Sequence, residues 1–588
     1  MNDKVTHTVR TVESLGKRQY EEYHKTVLVD GTRSIHDPIK KNSLPLFKCP
    51  TAKEKSKQAD KIATLKADVS LFAQLYIVVQ DRESDLKTFF QHENNPYPPS
   101  LSDRGNLRFG KKSDLLKCLL QAKTVERPFE RNDEELDLAA LVEEVDTPIG
   151  ELNILELDEN ILSSIKQPPP AESVEAPNTF DTKILDGAAV IHFLSTAGVS
   201  TFEDYAVKVF LPFINQQLEN ADRIDIVWDT YLSSSIKGFA REKRGKGVRR
   251  KVAGSNKIPG KWQEFLQDSD NKQELFAFLS TKVALTNFPN GKTVVITSGE
   301  HAIVRGNDFG MAKTDQEEAD TKIVLHLLNA LQRGSKTCLI RTVDTDVVVI
   351  LIGIFDKLTA ICPMANIWVA FGTGKNFTYY HVNDIAKTIG AEKSASLPVF
   401  HSFTGCDTVS AFYGKAKASA WTAWKCFPEV TEAFCYIAKN PFTDLKTDSH
   451  LFRLLERFTV VLYDKTSQLC CVDEARQKLF CQKDRVTMEA LPPTKAALFE
   501  HSKRAIYQAG IWTTADKSIQ QVPSPGNMGW TFENERRVWL PHWTELDDIS
   551  KACSHLVRCH CLKACGNACG CHKKGWKCSK RCGCTCRK

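Results

Sequence analysis

The last thirty residues of the chain contain so many cysteines that only a few kinds of structure can hold them together. Nine cysteines follow one another with the spacing C-x-C-x3-C-x3-C-x-C-x6-C-x3-C-x-C-x-C. Little apolar surface lies between them, so a hydrophobic core cannot hold this segment together. Either disulfides or bound metal ions must do so. The nine residues are Cys559, Cys561, Cys565, Cys569, Cys571, Cys578, Cys582, Cys584 and Cys586.

The rest of the chain indicates which of the two chemistries holds the tail. The opening residues MNDKVTHTVRTVES contain no apolar stretch typical of a secretory signal. The longest apolar run, Val347–Phe355, has nine residues, whereas a membrane span needs about 20. We therefore expect an intracellular protein with no membrane association, whose thiols stay reduced and bind metal.

The number of cysteines indicates how many zinc ions the tail holds. Three tetrahedral Zn²⁺ ions require twelve thiolate contacts, and nine cysteines supply twelve if three of them bridge two ions. Residues 551–588 contain ten Lys and Arg and no acid, which offsets the negative charge of such a cluster and suits contact with phosphate. A disulfide knot and a metallothionein-like metal store are the alternatives.

The tail resembles the tesmin-type CXC domain, a zinc-cluster module that binds DNA. The resemblance covers residues 553–588 and implies that the nine cysteines are the zinc ligands and that DNA is the partner. Several gaps between the cysteines are one residue shorter than in the family. Ala568 also stands where the family usually has a tyrosine that helps to contact DNA.

Changes of composition along the chain predict five segments. The first contains an acidic stretch, with eleven acids between residues 131 and 160, and the second contains three consecutive prolines. The segments are a helical N-terminal region (1–166), a Pro-rich linker (167–180), a domain of alternating strands and helices (181–425), a mainly helical extension (426–550) and the cysteine module (551–588).

Short β-branched runs alternate with amphipathic stretches from residue 181 onward, which predicts an α/β domain with a mostly parallel sheet. One helix is expected to begin with a capping box at Thr314 and Glu317 and to end at Gly334. In such sheets functional groups gather at the carboxyl ends of the strands. The expected strands are 182–186, 223–229, 292–297, 337–344 and 365–371.

Seven carboxylates form a candidate site: four end or follow predicted strands, two lie in the first turns of a predicted helix, and one lies in a glycine-containing break between helical segments. Asp344 and Asp346 are two residues apart, so both can reach one metal ion. Clusters of this kind hold the two Mg²⁺ ions of many phosphodiesterases. Any one of these acids, however, can equally cap a helix or face solvent, so spacing alone does not define a nuclease. The seven are Asp186, Asp229, Glu318, Asp320, Asp344, Asp346 and Asp407.

The order of the acidic motifs is similar to that of the PIN-like flap endonuclease superfamily. The motifs are LDG (185–187), VWD (227–229), EAD (318–320), DTD (344–346) and GCD (405–407). The resemblance covers residues 181–425. It implies an enzyme that cleaves phosphodiesters with Mg²⁺ or Mn²⁺, and it implies that the seven acids hold the metal.

Two further elements of that family have counterparts in this sequence. After the Gly-Cys-Asp motif the family has a hairpin whose two glycines grip phosphates. Here Gly414 matches the first glycine, Ala416 replaces the second, and Lys415 and Lys417 stand beside them.

A basic segment, residues 237–261, has ten Lys and Arg against one acid and corresponds to the family's basic arch. A solvated loop is the alternative interpretation. Its candidates for phosphate contact are Arg241, Lys243, Arg244, Arg249, Arg250 and Lys251.

The sequence therefore predicts a metal-dependent nuclease-like protein that acts on DNA through its nuclease domain and its zinc tail. The alternative is a DNA-binding, chromatin or scaffold protein that retains the nuclease fold without cutting. Residues 84–105 and 529–543 resemble uncharacterised animal proteins that carry the same two modules and look derived from mobile elements. That resemblance implies work on the genome, and we expect the protein to be intracellular and nuclear.

Overall fold

The computed structural model contains two compact units, residues 1–67 and residues 68–588. In the first unit a π-helical segment, His24–Val29, is described. The second unit contains the sheet, its helices and the tail. The residues described are 17–18, 20–33, 76, 89–122, 176–231, 235–238, 247–307, 309–482 and 487–549, and in the tail 561, 564–567, 569–573, 578, 582 and 584–585.

A seven-stranded sheet forms the centre of the second unit. In chain order its strands are β1 (Phe180–Asp186), β2 (Ala221–Val227), β3 (Thr293–Ser298), β4 (His301–Arg305), β5 (Thr337–Thr342), β6 (Asn366–Phe371) and β7 (Thr378–His381). Their order across the sheet is β4-β3-β2-β1-β5-β6-β7.

The five inner strands of this sheet are parallel, and the two edge strands are antiparallel to their neighbours. The predicted α/β class and mostly parallel sheet are therefore confirmed. The parallel strands are β-branched runs buried on both faces, a pattern that the sequence shows clearly. The edge strands β4 and β7 were not predicted, because they are short and carry exposed polar residues.

Helices cover the sheet and extend the unit towards the C-terminus. The principal α-helices described in the second unit are α1 (Asp114–Ala122), α2 (Gly187–Phe193), α3 (Phe202–Tyr205, continued by Ala206–Phe210 as π-helix and by Leu211–Glu219), α4 (Trp262–Phe265), α5 (Ser269–Leu285), α6 (Ala319–Gln332), α7 (Thr345–Gly353), α8 (Phe355–Ile361), α9 (Val382–Ile389), α10 (Ala391–Phe403), α11 (Lys417–Cys426), α12 (Val430–Lys439), α13 (His450–Tyr463), α14 (Val472–Gln482), α15 (Lys495–Thr513) and α16 (Gly570–Lys573). A hairpin of β8 (Trp530–Glu533) and β9 (Val538–Pro541) follows α15.

The start of α6 differs from the predicted one. The helix begins at Ala319 with Glu318 as its N-cap, so the predicted capping box at Thr314 is wrong. The Thr314 hydroxyl instead accepts a hydrogen bond from the Gln316 amide at 3.1 Å, which closes a local turn before the helix. Gly334 has φ +96° and directly follows the helix, so the predicted stop is confirmed.

The apolar run Val347–Phe355 forms most of α7, which lies inside the protein. Every residue from Thr345 to Ile352 is buried, because α7 packs against α6, α9 and α10 and contributes to the large core. In the described part of the chain, no helix has the length and apolar character that crossing a membrane requires.

Residues 89–122 pack against the helices that follow the sheet. The amide of Ala411 donates to the Arg108 carbonyl at 2.7 Å, and the amide of Tyr413 donates to the Ser100 carbonyl at 2.8 Å. Leu115 and Leu119 of α1 are fully buried in the large core. This segment therefore lies directly beside the loop that contains Asp407. The five predicted segment boundaries stay predictions.

Candidate metal centres

The ends of β1 and β2 hold the first two acids of the candidate site. Asp186 is the last residue of β1 and caps α2, accepting a hydrogen bond from the Ala189 amide at 3.1 Å. Asp229 lies two residues beyond β2 and accepts from the Ala319 amide at 2.9 Å. Both carboxylates are therefore fixed by backbone donors at helix starts, where the helix dipole favours negative charge.

Asp344 and Asp346 lie at the junction between β5 and α7. The Asp344 carboxylate caps α7 by accepting from the Asp346 amide at 3.0 Å. The Thr342 hydroxyl accepts from the Asp344 amide at 3.0 Å and donates to the Asp186 carboxylate at 3.1 Å. One threonine thus links the ends of two neighbouring strands and holds their acids in a common arrangement.

The start of α6 adds Glu318, its N-cap, and Asp320, in its first turn. Carboxylate oxygens of Asp320, Asp344 and Asp346 all lie within 4.8 Å of one another, which is close enough for one ion to reach all three. Mg²⁺ and Mn²⁺ prefer carboxylate oxygens, so the chemistry of these side chains fits such an ion.

The six acids other than Asp346 line a single cleft of about 600 Å³. Asp346 lies beneath its floor with 1% of its surface exposed. The structure thus brings together, at the carboxyl edge of the sheet, the seven acids that the sequence singled out. The predicted acids that line the cleft are Asp186, Asp229, Glu318, Asp320, Asp344 and Asp407, and Glu317 lines it as well.

Burial of so many like charges disfavours their ionised forms. Burial, and then the charge of Asp229, raises the pKa of Asp186 to about 7. Burial, and then the charge of Asp344, raises the pKa of Asp320 well above its usual range. Such a cluster requires nearby positive charge to ionise fully at neutral pH, and either a divalent cation or a neighbouring ammonium group can supply that charge.

Two lysines that the sequence did not predict for this site contact the acids directly. The Lys112 ammonium lies 2.9 Å from Asp344, 3.1 Å from Asp346 and 3.1 Å from Asp407. The Lys237 ammonium lies 2.7 Å from the Glu318 carboxylate. Lys237 was counted in the basic segment, whereas no pattern in the sequence distinguished Lys112 from the other lysines of the N-terminal region.

Two further buried side chains hold the acids in position and were also missed. His401 is fully buried on α10, and its Nε2 lies 3.0 Å from the Asp346 carboxylate. Burial, and then the charge of Lys417, lowers the pKa of His401 well below its usual range, so the neutral ring donates to Asp346. Lys322 on α6 donates to the Trp228 carbonyl at 3.2 Å and thereby fixes the loop that contains Asp229.

Only part of the basic segment falls among the described residues: Arg241, Lys243 and Arg244 lie outside them. The Arg249 guanidinium pairs with Glu274 on α5 at the protein surface. Arg250 and Lys251 are exposed to solvent.

The residues of the candidate hairpin, Gly414, Lys415 and Lys417, lie in different surroundings. Gly414 has φ +66° and open space where a side chain would start, so its backbone can be approached closely. The Lys415 ammonium lies 4.6 Å from the centre of the Tyr463 ring.

Lys417 is 3% exposed, and its ammonium donates to the His401 carbonyl at 2.6 Å and to the Thr404 hydroxyl at 2.8 Å. The structure therefore corrects the prediction that Lys417 contacts phosphate. The side chain supports the site from inside the protein.

The buried position of Lys417 has a consequence for stability. Burial lowers the pKa of Lys417 to about 7, whereas a lysine in an unfolded chain titrates near about 10.4. Between these values the unfolded chain binds more protons, so this lysine makes the fold more stable as pH rises. We expect the free energy of unfolding of the wild type, relative to Lys417→Met, to increase by about 2 kcal/mol from pH 7 to pH 9.

Denaturant unfolding at the two pH values measures this difference. The matched control is Lys425→Met, at an exposed position of the same helix. A difference between wild type and Lys417→Met that does not change with pH would contradict the buried, weakly basic lysine.

The tail forms a second candidate centre. Seven of its nine cysteines are among the described residues, and none of the seven is in a disulfide. Cys559 and Cys586 lie outside the described residues. The sulfur atoms of Cys565 and Cys578 lie 3.4 Å apart, and those of Cys571 and Cys582 lie 3.8 Å apart. A cluster of thiols at these separations can hold metal ions such as zinc.

The tail cysteines fall into three overlapping sets whose sulfur atoms lie within 4.8 Å of one another. Each pair of sets shares one residue, so Cys565, Cys569 and Cys578 each belong to two sets. A cluster that has fewer cysteines than metal–sulfur bonds requires some of its thiolates to bridge two ions. The sets are Cys561–Cys565–Cys569, Cys565–Cys578–Cys584 and Cys569–Cys571–Cys578.

Comparison with known proteins gives this chain no family. No protein-family model matches it, and no curated protein is significantly similar to it. The fold and the two candidate centres therefore carry the functional argument.

Proposed function

We propose that the protein is a metal-dependent nuclease that acts on DNA, with the cysteine tail as a zinc-bound DNA-binding module. The observation that supports this most is the meeting of seven acids, from five separate parts of the sequence, in and beneath one cleft. Acids gathered by chance on a surface would be solvated, whereas four of these are buried and the other three are partly buried, so their charges require cations nearby.

Each part of the cleft has a role in this proposal. Asp320, Asp344 and Asp346 would hold a divalent cation, which supplies positive charge for the phosphate and lowers the pKa of water. Asp186 and Asp229 would add negative charge on one side of this ion, and Asp407 would add it on the other.

The opening of the cleft carries groups that suit a nucleic acid. Lys237 and Lys272 both line it, and the Lys272 ammonium lies 4.7 Å from the centre of the Tyr231 ring. Lysines contact phosphates, and an aromatic ring offers a face on which a base can stack. These groups would bind and orient the strand against the acids beneath them.

In the tail, the three shared cysteines support a cluster of three zinc ions. Cys565, Cys569 and Cys578 would bridge, and the other six cysteines would each bind one ion. Ten Lys and Arg with no acid in residues 551–588 would favour binding to the phosphate backbone.

One observation favours the second candidate function, a DNA-binding or scaffold protein that does not cut. The ammonium groups of Lys112 and Lys237 already neutralise part of the acidic cluster. An acidic site that is balanced by lysines alone could support the fold without catalysis.

Cleavage of labelled DNA by the full-length, zinc-loaded protein separates the two functions. Flap, hairpin and single-stranded substrates are incubated with and without Mg²⁺. The nuclease proposal predicts products only when Mg²⁺ is present. Binding to DNA without cleavage of any of these substrates would overturn it in favour of the second function.

A further inference from the structure

Lys112 lies in a segment outside the sheet, and its ammonium contacts acids of the cleft. It precedes α1, whereas its three carboxylate partners follow β5, begin α7 and lie in the loop after α10. Its side chain is 20% exposed, so the ion pairs are largely screened from solvent. The ammonium donates hydrogen bonds to the Asp344 and Asp346 carboxylates, and its nitrogen lies 3.1 Å from the Asp407 carboxylate, so three carboxylates surround one positive charge.

The position of this ammonium is fixed by the fold around it. The Leu115 amide donates to the Lys112 carbonyl at 3.1 Å, which starts the first turn of the helix. Leu115, Leu116 and Leu119 of the same helix are buried in the large core. Lys112 is therefore held at the cleft by a packed helix and not by a solvated chain.

The geometry around Lys112 resembles that of a bound cation. A metal ion and an ammonium both require several oxygen atoms around one positive centre, and they cannot occupy the same position together. Asp344 and Asp346 are also two of the three acids that lie close enough to share one ion with Asp320. Lys112 and a divalent ion would thus bind the same two carboxylates, those of Asp344 and Asp346.

We propose that the Lys112 ammonium permanently fills one cation position of the centre, the one formed by Asp344, Asp346 and Asp407. The substrate-free protein then takes one divalent cation, on the Asp320 side of Asp344. Removal of the ammonium opens a second position. This inference rests on the proposed metal site, and it adds that the chain itself supplies one of the cations.

Counting bound Mn²⁺ tests this proposal without any measurement of cleavage. The full-length, zinc-loaded protein is titrated with Mn²⁺, and the remaining free ion is measured by electron paramagnetic resonance. We expect one equivalent in the wild type and two in Lys112→Met. The matched control is Lys111→Met, because Lys111 is exposed and pairs with Asp114 outside the cleft. Lys112→Arg, which keeps the positive charge, is expected to retain one equivalent.

Loss of the ammonium leaves three carboxylates without this partner and lowers the stability of Lys112→Met, so Lys112→Gln, whose amide still donates to a carboxylate, is titrated in parallel. An unchanged Mn²⁺ count in a folded neutral variant overturns the proposal, as does a count of two in the wild type. An extra ion in either neutral variant, with no cleavage of DNA by the wild type, supports the role of Lys112 and overturns only the nuclease proposal.

Discussion

Replacing Asp344 and Asp346 together by asparagine is expected to reduce Mg²⁺-dependent cleavage of DNA by about 100- to 1000-fold. Carboxylate oxygens of both residues lie within 4.8 Å of a carboxylate oxygen of Asp320. The neutral side-chain amide of asparagine cannot supply the negative charge that a divalent cation requires from its ligands. A metal ion contributes several kcal/mol of transition-state stabilisation, and each 1.4 kcal/mol corresponds to about a tenfold change in rate.

The matched control for this variant replaces two acids outside the cleft. Asp204 pairs with Lys208 at 2.6 Å, and Asp222 pairs with Lys292 at 2.9 Å, both on the surface. The variant Asp204→Asn/Asp222→Asn changes the net charge by the same amount and is expected to cut at nearly the wild-type rate. Equal cleavage by the wild type and by Asp344→Asn/Asp346→Asn would exclude the proposed centre as the origin of the activity.

Replacing a shared cysteine of the tail is expected to remove more zinc than replacing an unshared one. The full chain should contain about three zinc ions. Cys578 belongs to two of the three sets of sulfur atoms, whereas Cys584 belongs to one. We expect about one ion to remain in Cys578→Ser and about two in Cys584→Ser. Each structural zinc contributes roughly 10–16 kcal/mol of binding free energy at neutral pH, so the effect on the tail is large.

Elemental analysis of the purified protein measures the zinc content. Cys426→Ser is the matched control, because Cys426 is an exposed cysteine on α11 outside the tail. That variant should keep all of its zinc. Equal zinc loss from Cys578→Ser and Cys584→Ser would contradict the bridging arrangement. Disulfides between tail cysteines in the purified protein would contradict the metal cluster itself.

The acids of the cleft could be predicted because acids follow buried strands in the sequence and because parallel strands end at the same edge of a sheet. Each inner strand is a run of buried β-branched residues, and Asp186 and Asp344 follow such runs directly or within two residues. Since parallel strands end at one edge of a sheet, acids far apart in sequence were expected to meet there. The packing of α7 against α10 completes this arrangement, because it buries Asp346 beside His401.

The cations and the histidine of the same site could not be predicted, because their contacts depend on tertiary structure alone. Lys112 and Asp344 are separated by 232 positions along the chain. His401 lies in the last turn of α10 among buried neighbours, where nothing in the sequence distinguishes it from a packing residue. Lys417 was placed at the surface because it lies next to a glycine loop, yet the start of α11 turns it inward towards Thr404.

The proposed binding of a divalent cation at the carboxyl edge of the sheet can be tested directly. Crystals of the full-length protein grown with Mn²⁺ locate the ion through its anomalous scattering. We expect a peak about 2.1 Å from carboxylate oxygens of Asp320 and Asp344. Mn²⁺ bound elsewhere in the protein, with no peak between these two residues, would contradict it.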